Sequence, residues 1–171
     1  MVNQTEGNIM TQQTSTDTLS KFFTDFPGPY SLAHGVDSVD RTVDLFCKST
    51  QQFILGLSYW EDQQTAKINA RTICIALESA RQSKAQTALT EAETQTVRQF
   101  IQMTPGPFRT RFFPETGGRI TSRPTWTVQC IHTGEVILGV ESEEGCSSCQ
   151  QITTAVNQAL GLLRDQLADQ P

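Results

Sequence analysis

Two cysteines near the C-terminus have the spacing of a thiol-redox pair. Cys146 and Cys149 form a Cys-x-x-Cys motif where the last helix is predicted to begin. Backbone amides at a helix N-terminus stabilise a thiolate, so a cysteine placed there acquires a lowered pKa and becomes reactive. The motif therefore predicts that Cys146 is a nucleophile and Cys149 its resolving thiol. The competing interpretation is that Cys149 is only the first buried residue of the helix, because free cysteine commonly packs as a small hydrophobic residue.

A zinc site would be the natural extension of this pair, since Cys130 and His132 bring the set to four ligands. The predicted hairpin argues against it. The chain leaves Cys130 and runs away for about ten residues at roughly 3.3 Å each, which separates the two pairs. We therefore predict no metal site within one chain and no cofactor, while a site shared between two subunits stays open.

A basic and aromatic segment is the second candidate site. Residues 109–123 carry four arginines and one acid in a chain whose net charge is −5. Arginine beside exposed aromatic rings suits phosphate, carboxylate or single-stranded nucleic acid, and it suits an acidic protein partner equally well. The competing interpretation is a solvated strand face with buried phenylalanines, because scattered surface charge is common. The residues predicted to bind a partner are Arg109, Arg111, Phe112, Arg119 and Arg123.

Other reactive residue types stand in less favourable surroundings. Asp37, Asp40 and Asp44 could share a divalent cation from one helix, but no second acidic helix completes the shell, so a solvated face is favoured. The two histidines, His34 and His132, have no evident orienting acid or nucleophile nearby. No glycine-rich phosphate loop is present. The sequence therefore favours a protein without catalytic activity.

Length and composition predict one folded domain with a polar tail. The chain has 171 residues, enough to bury a core without disulfides or metals. Residues 1–16 are polar and aperiodic and are predicted to be disordered, and residues 17–171 are predicted to form one globular α+β domain. The negative net charge argues against a general nucleic-acid binder.

The cysteines and the apolar segments predict the compartment. The chain has five cysteines, an odd number, and no recognisable secretory signal, which indicates reduced thiols in the cytoplasm. No apolar stretch is long enough to cross a bilayer, so we expect no membrane insertion.

Apolar periodicity predicts four helices before residue 108. In the second of them, apolar residues recur at alternating steps of three and four. The fourth begins with a capping box formed by Thr90 and Glu93. Pro-Gly-Pro followed by an aromatic residue ends both the first and the fourth, and we interpret the two copies as rigid helix exits. The predicted ranges are 17–26, 36–60, 63–82 and 90–104.

Residues 108–141 are predicted to form strands, because β-branched and aromatic residues replace the helical pattern. Segments 108–113 and 119–122 are expected to pair around Gly117-Gly118, and segments 126–131 and 135–141 to form a second, firmer hairpin. A turn at residues 132–134 makes one face of that hairpin wholly apolar, which fixes the register. This register sets Cys130 opposite Val136, Val128 opposite Leu138 and Trp126 opposite Val140.

The predicted fold is therefore of the α+β class. It has an N-terminal helical part of about four helices, a small antiparallel β-meander or hairpin, and a C-terminal amphipathic helix packed on the sheet. That last helix covers residues 147–168, and its apolar stripe has the width to cover the hairpin.

The function expected from these features is that of a non-enzymatic protein-interaction protein, such as an assembly factor, an adaptor or a regulator. Heptad-like stripes on the second and last helices also allow a homodimer. The first alternative is a thiol-redox protein using Cys146 and Cys149. The second is a nucleic-acid-binding regulator using segment 109–123, which the acidic net charge argues against.

Overall fold

The computed structural model of the chain describes residues 18–34, 42–58, 62–82, 88–113, 125–141 and 147–168. These residues contain four helices and six strands. In chain order they are α1 (18–25), β1 (Tyr30–His34), β2 (Thr42–Cys47), β3 (Gln52–Ser58), α2 (Gln63–Arg81), α3 (Glu91–Met103), β4 (Phe108–Phe113), β5 (Thr125–Cys130), β6 (Val136–Glu141) and α4 (Ser147–Ala168).

The strands form two antiparallel sheets of three strands each. The first sheet has the order β1-β2-β3 and the second the order β4-β5-β6. The C-terminal helix α4 packs on all three strands of the second sheet, and α2 packs on the first. The predicted α+β class and the predicted packing of the last helix on a sheet are both confirmed.

The helix predicted over residues 36–60 is wrong, because the described part of that range forms β2 and β3. Val43, Leu45 and Cys47 are buried at alternate positions, which is the period of a strand with one covered face. The apparent helical stripe includes Phe53, which is 55% exposed. The steps of three and four were therefore a coincidence of two strands joined by a short turn. Without this helix, one of the two stripes that suggested a homodimer is lost.

The other helix predictions hold. The third predicted helix corresponds to α2, and the last corresponds to α4 with the same bounds, 147–168. The predicted capping box of α3 is present: the backbone N–H of Glu93 donates to Thr90 Oγ1, and the backbone N–H of Thr90 donates to Glu93 Oε2 at 2.8 Å. These helices were predictable because amphipathic periodicity and caps coincide.

The second sheet agrees with the prediction in part. Trp126 faces Val140 and Val128 faces Leu138, as predicted. Cys130 is not opposite Val136, because a register shift after Val128 inserts an extra residue into β6, and the Cys130 N–H donates to the carbonyl of Glu135. β4 pairs with β5, and residues 119–122 lie outside the described residues, so their predicted pairing with 108–113 stays a prediction.

The chain contains the same structural unit twice. A first half, from α1 to α2, and a second half, from α3 to α4, both have the order helix, three-stranded antiparallel sheet, helix. Each Pro-Gly-Pro lies between the short helix and the first strand of its half, with a cis Gly–Pro bond and a glycine φ near +72° or +73°. The two copies are therefore helix exits, as predicted, and they also mark a repeat.

Hydrogen bonds and rings occupy matching places in the two halves. The Lys48 N–H donates to the Pro29 carbonyl at 2.8 Å, and the Ile131 N–H donates to the Pro107 carbonyl at 2.8 Å. The ring of Phe22 lies 6.2 Å from that of Tyr30, and the ring of Phe100 lies 5.8 Å from that of Phe108. The third strands share the pattern Phe-Ile-Leu-Gly-Leu (53–57) and Val-Ile-Leu-Gly-Val (136–140), with a bulge at the same point.

The two halves share one hydrophobic core. Helices α2 and α4 pack against each other, and a single cluster of buried side chains includes residues from both sheets and all four helices. The α4 stripe that suggested a homodimer contributes to this cluster through Val156, Leu160 and Leu163. The stripe is therefore used within the chain.

Candidate functional site

An open groove lies where the third strands of the two halves approach each other. It has a volume of about 1040 Å³ and follows both β3 and β6. The two strands belong to different sheets, so among the described strands each is hydrogen-bonded to a neighbour on one side only. Outward residues of β2 and β5 and the first turns of α2 complete the lining. We call this feature the groove.

The charged residues of the described groove lining are all acidic. Asp44, Asp62 and Glu135 contribute carboxylates, and no Lys, Arg or His of the described residues lies in the lining. Asp62 caps α2: it accepts hydrogen bonds from the amides of Gln64 and Thr65, both at 3.0 Å. The pKa of Asp62 is lowered, chiefly by its hydrogen bonds from the Thr65 hydroxyl and amide. Asp44 and Glu135 have no ion-pair partner among the described residues.

A buried amide faces the same space. Asn69, on α2, lines the groove and is only 5% exposed, and its Oδ1 accepts no hydrogen bond within the described part of the chain. An unpaired buried acceptor costs free energy and is uncommon in folded proteins; the other unpaired buried side-chain atoms of the described residues belong to Thr72, Asn157 and Gln158. The corresponding helix of the second half has the apolar Ile152 at the matching place.

Two exposed apolar side chains flank the groove. Phe53 is 55% exposed and Val136 is 47% exposed, and they occupy the same position in β3 and β6. The Phe53 ring packs edge-on against Phe46 at 5.7 Å, which holds it on the outer face of the first sheet. The groove therefore combines apolar contacts, open strand edges and acidic groups.

The structure describes three of the five residues of the predicted arginine site. Arg109 and Arg111 lie two residues apart on β4, so they project from the same face, and both are exposed. Phe112 projects from the opposite face and packs on Trp126 at a ring distance of 4.9 Å. Arg119 and Arg123, the other two predicted partner-binding arginines, lie outside the described residues.

The local contacts of the two arginines are weak. Arg109 Nη2 donates to Gln129 Oε1 at 3.4 Å, and the Arg111 guanidinium lies 4.7 Å from the centre of the Phe113 ring. Neither arginine forms an ion pair within the described part of the chain. β4 is the outer strand of its sheet, hydrogen-bonded only to β5 among the described strands. A strand with two exposed cations, and with one edge that no described strand covers, can take an additional strand of negative charge.

The structure describes only one of the two cysteines of the predicted redox pair. Cys149 is buried, with 8% exposure, as the competing interpretation expects of the first core residue of α4. Cys146 lies outside the described residues, so its reactivity stays a prediction.

The structure describes one residue of the predicted aspartate set: Asp44 is on a strand rather than a helix, and Asp37 and Asp40 lie outside the described ranges. His132 is in a turn, where its Nδ1 donates to the carbonyl of Gly106.

Sequence reasoning missed a matched pair of buried thiols. Cys47 and Cys130 each end the second strand of a half and are each followed by a turn with threonine at the third position, Thr50 and Thr133. Burial alone would raise the pKa of Cys47, but hydrogen bonds from Ser49, from Thr50 and from the Gly28 amide lower it to about 7. Burial and the matching hydrogen bonds act in the same way on Cys130, whose pKa is also lowered.

These thiols predict a pH-dependent stability. A thiol with a folded pKa below its ordinary value of 9.0 adds stability above pH 9 that is lost as the pH falls through about 7, because the unfolded chain then binds more protons. Burial raises the pKa of Cys74 to about 11, which has the opposite sign and removes stability above pH 9. We therefore expect the free energy of unfolding, measured in urea, to rise from pH 7 to pH 9 and to fall above it.

The variants separate the two effects. Cys47→Ser with Cys130→Ser should abolish the rise between pH 7 and pH 9, whereas Cys74→Ser should leave the rise and reduce the fall above pH 9. A rise that persists in the double variant would contradict the assignment to these thiols.

Among the described residues, no three His, Cys, Asp or Glu side chains are grouped so that they could hold a metal ion. No helix of these residues is long and apolar enough to cross a membrane. No protein-family model, no curated protein and no solved structure matches the chain.

Proposed function

We propose that the chain is a non-enzymatic protein-interaction protein, an assembly factor, adaptor or regulator, that binds an extended acidic segment of a partner along β4. The observation that carries the proposal is that one edge of β4 has no neighbour among the described strands, with Arg109 and Arg111 exposed on one face. An added strand would place alternate side chains opposite the two guanidinium groups, so a segment with glutamate or aspartate at alternate positions fits best.

The aromatic residues support the same proposal. Phe113 holds the Arg111 guanidinium beside its ring, which limits the freedom that Arg111 loses on binding. Phe112 is 43% exposed and presents apolar surface on the other face of the strand. The proposed compartment is the cytoplasm, on the ground of the odd number of cysteines.

The proposal is tested with a short labelled peptide that alternates glutamate and valine. We expect it to bind the full chain, and we expect Arg109→Ala with Arg111→Ala to weaken binding by about tenfold or more. The melting temperature should not fall, because both side chains are exposed and make few contacts. The matched control is Arg71→Ala with Arg98→Ala, which removes the same charge from exposed positions on α2 and α3 and should not change binding.

The same experiment can overturn the proposal. Equal binding by both double variants would remove β4 as the site. Tighter, salt-dependent binding of a single-stranded oligonucleotide than of the acidic peptide would favour the nucleic-acid alternative. The homodimer is a separate proposal, and the mass of the free chain in solution tests it.

A further inference from the structure

The shape of the groove suits an extended chain. It runs along residues 53–57 of β3 and 136–140 of β6, which at about 3.3 Å per residue is a length of roughly 16 Å. Its volume of about 1040 Å³ is at the upper end of the range of roughly 300–1,000 Å³ typical of small-molecule pockets. The strand edges along it offer backbone donors and acceptors, which recognise another extended backbone.

The negative charge of the groove lining favours a cationic ligand. Its three carboxylates are not grouped closely enough to hold a metal ion, because no such group of three exists among the described residues. They are instead distributed over β2, the start of α2 and the start of β6. Carboxylates distributed along a groove whose described lining contains no cation suit lysine or arginine side chains spaced along a peptide.

Asn69 adds an independent requirement. The Asn69 residue lines the groove, and its buried Oδ1 has no donor within the described chain; a rotation of the side chain would bring this oxygen to the groove surface. A ligand that supplies an N–H or ammonium group would satisfy this acceptor. An aliphatic ligand would leave it unpaired, and an anionic ligand would be repelled by Asp44 and Glu135.

We propose that the groove is a second binding site, which holds an extended segment of a partner protein that carries lysine or arginine. Its ligand is opposite in charge to the ligand proposed for β4, so the two proposals can fail separately. Asp44 and Glu135 attract the cationic side chains, Asn69 accepts a hydrogen bond, and Phe53 and Val136 contact the apolar side chains between them.

The probe is a short labelled peptide that alternates lysine and valine, titrated with the full chain and followed by fluorescence anisotropy. We expect binding that weakens with salt. Asp44→Asn with Glu135→Gln removes two charges at constant size and should weaken binding by about tenfold or more. Glu91→Gln with Asp165→Asn is the matched control on exposed positions outside the lining, and it should leave binding unchanged.

A second peptide separates strand recognition from charge attraction. It has the same charges but proline in place of the central valines, and proline cannot donate a backbone hydrogen bond to a strand edge. We expect at least tenfold weaker binding, whereas equal binding would mean charge attraction alone and would overturn the proposal. Equal binding by the groove variant and its control would also overturn it. Self-association of the free chain that the groove variant abolishes would assign the groove to a second copy instead.

Discussion

Replacing Phe22 by alanine is expected to lower the free energy of unfolding by about 3–5 kcal/mol, and replacing Phe100 should cost a similar amount. The two rings occupy the same place in the two halves, are 0% and 2% exposed, and pack against the first aromatic residue after each Pro-Gly-Pro. Each truncation removes a large buried side chain and leaves a cavity in the shared core. Urea denaturation of the single variants measures both losses.

The control is Phe53→Ala. That ring is 55% exposed and contacts Phe46, so its removal should lower the free energy of unfolding by about 1 kcal/mol, well below the loss for either buried ring. If an alanine variant does not fold, Phe22→Leu and Phe100→Leu replace it. Each should still lower the free energy of unfolding, with losses below about 1.5 kcal/mol. A large loss for one ring and none for the other would show that the two halves are not energetically equivalent.

The helices show what could be predicted from the sequence. In α2, α3 and α4 the apolar residues follow the helical period over several turns, and α3 also has a capping box, so local signals agree with the final structure. Strand β3 was not predictable in the same way. Ile54 and Leu55 are both buried in succession because a bulge interrupts the alternation of inward and outward residues.

The repeat was visible in the sequence but needed a comparison of the chain with itself. The two Pro-Gly-Pro motifs, interpreted together as helix exits, do not by themselves establish a repeat. The match between residues 53–57 and 136–140, and the threonine after each of Cys47 and Cys130, would have identified equivalent strands. Residues 126–141 are predicted to form a hairpin. The equivalent residues of the first half would then be predicted as two strands instead of the second helix.

The groove could not be predicted from the sequence, because its lining comes from five separate elements. Asn69 resembles any polar residue on an amphipathic helix until the packing of α2 shows that it is buried. The sequence pattern places Asp44 in an aspartate set on a predicted helix, whereas the structure places it on β2. The chemistry of the site arises from the approach of two sheets, which no local pattern encodes.

Replacing Asn69 by leucine is expected to raise the free energy of unfolding by about 1–3 kcal/mol. Leucine has the same branching as asparagine but a larger volume; it favours the helix more than asparagine does and removes an acceptor that is buried without a donor. The same variant should bind the lysine-valine peptide more weakly, because Oδ1 is then absent. Urea denaturation and peptide titration of one protein sample measure both effects.

Thr72→Val provides the control that separates stability from binding. The Thr72 hydroxyl is also buried on α2 without a hydrogen-bond partner in the described residues, but it does not line the groove. Its removal should stabilise the fold by a similar mechanism and leave peptide binding unchanged. If Asn69→Leu stabilises the chain and weakens binding while Thr72→Val only stabilises it, the cost of the unpaired amide is linked to binding. If Asn69→Leu destabilises the chain, Asn69 is paired in solution and gives the groove no requirement for a donor.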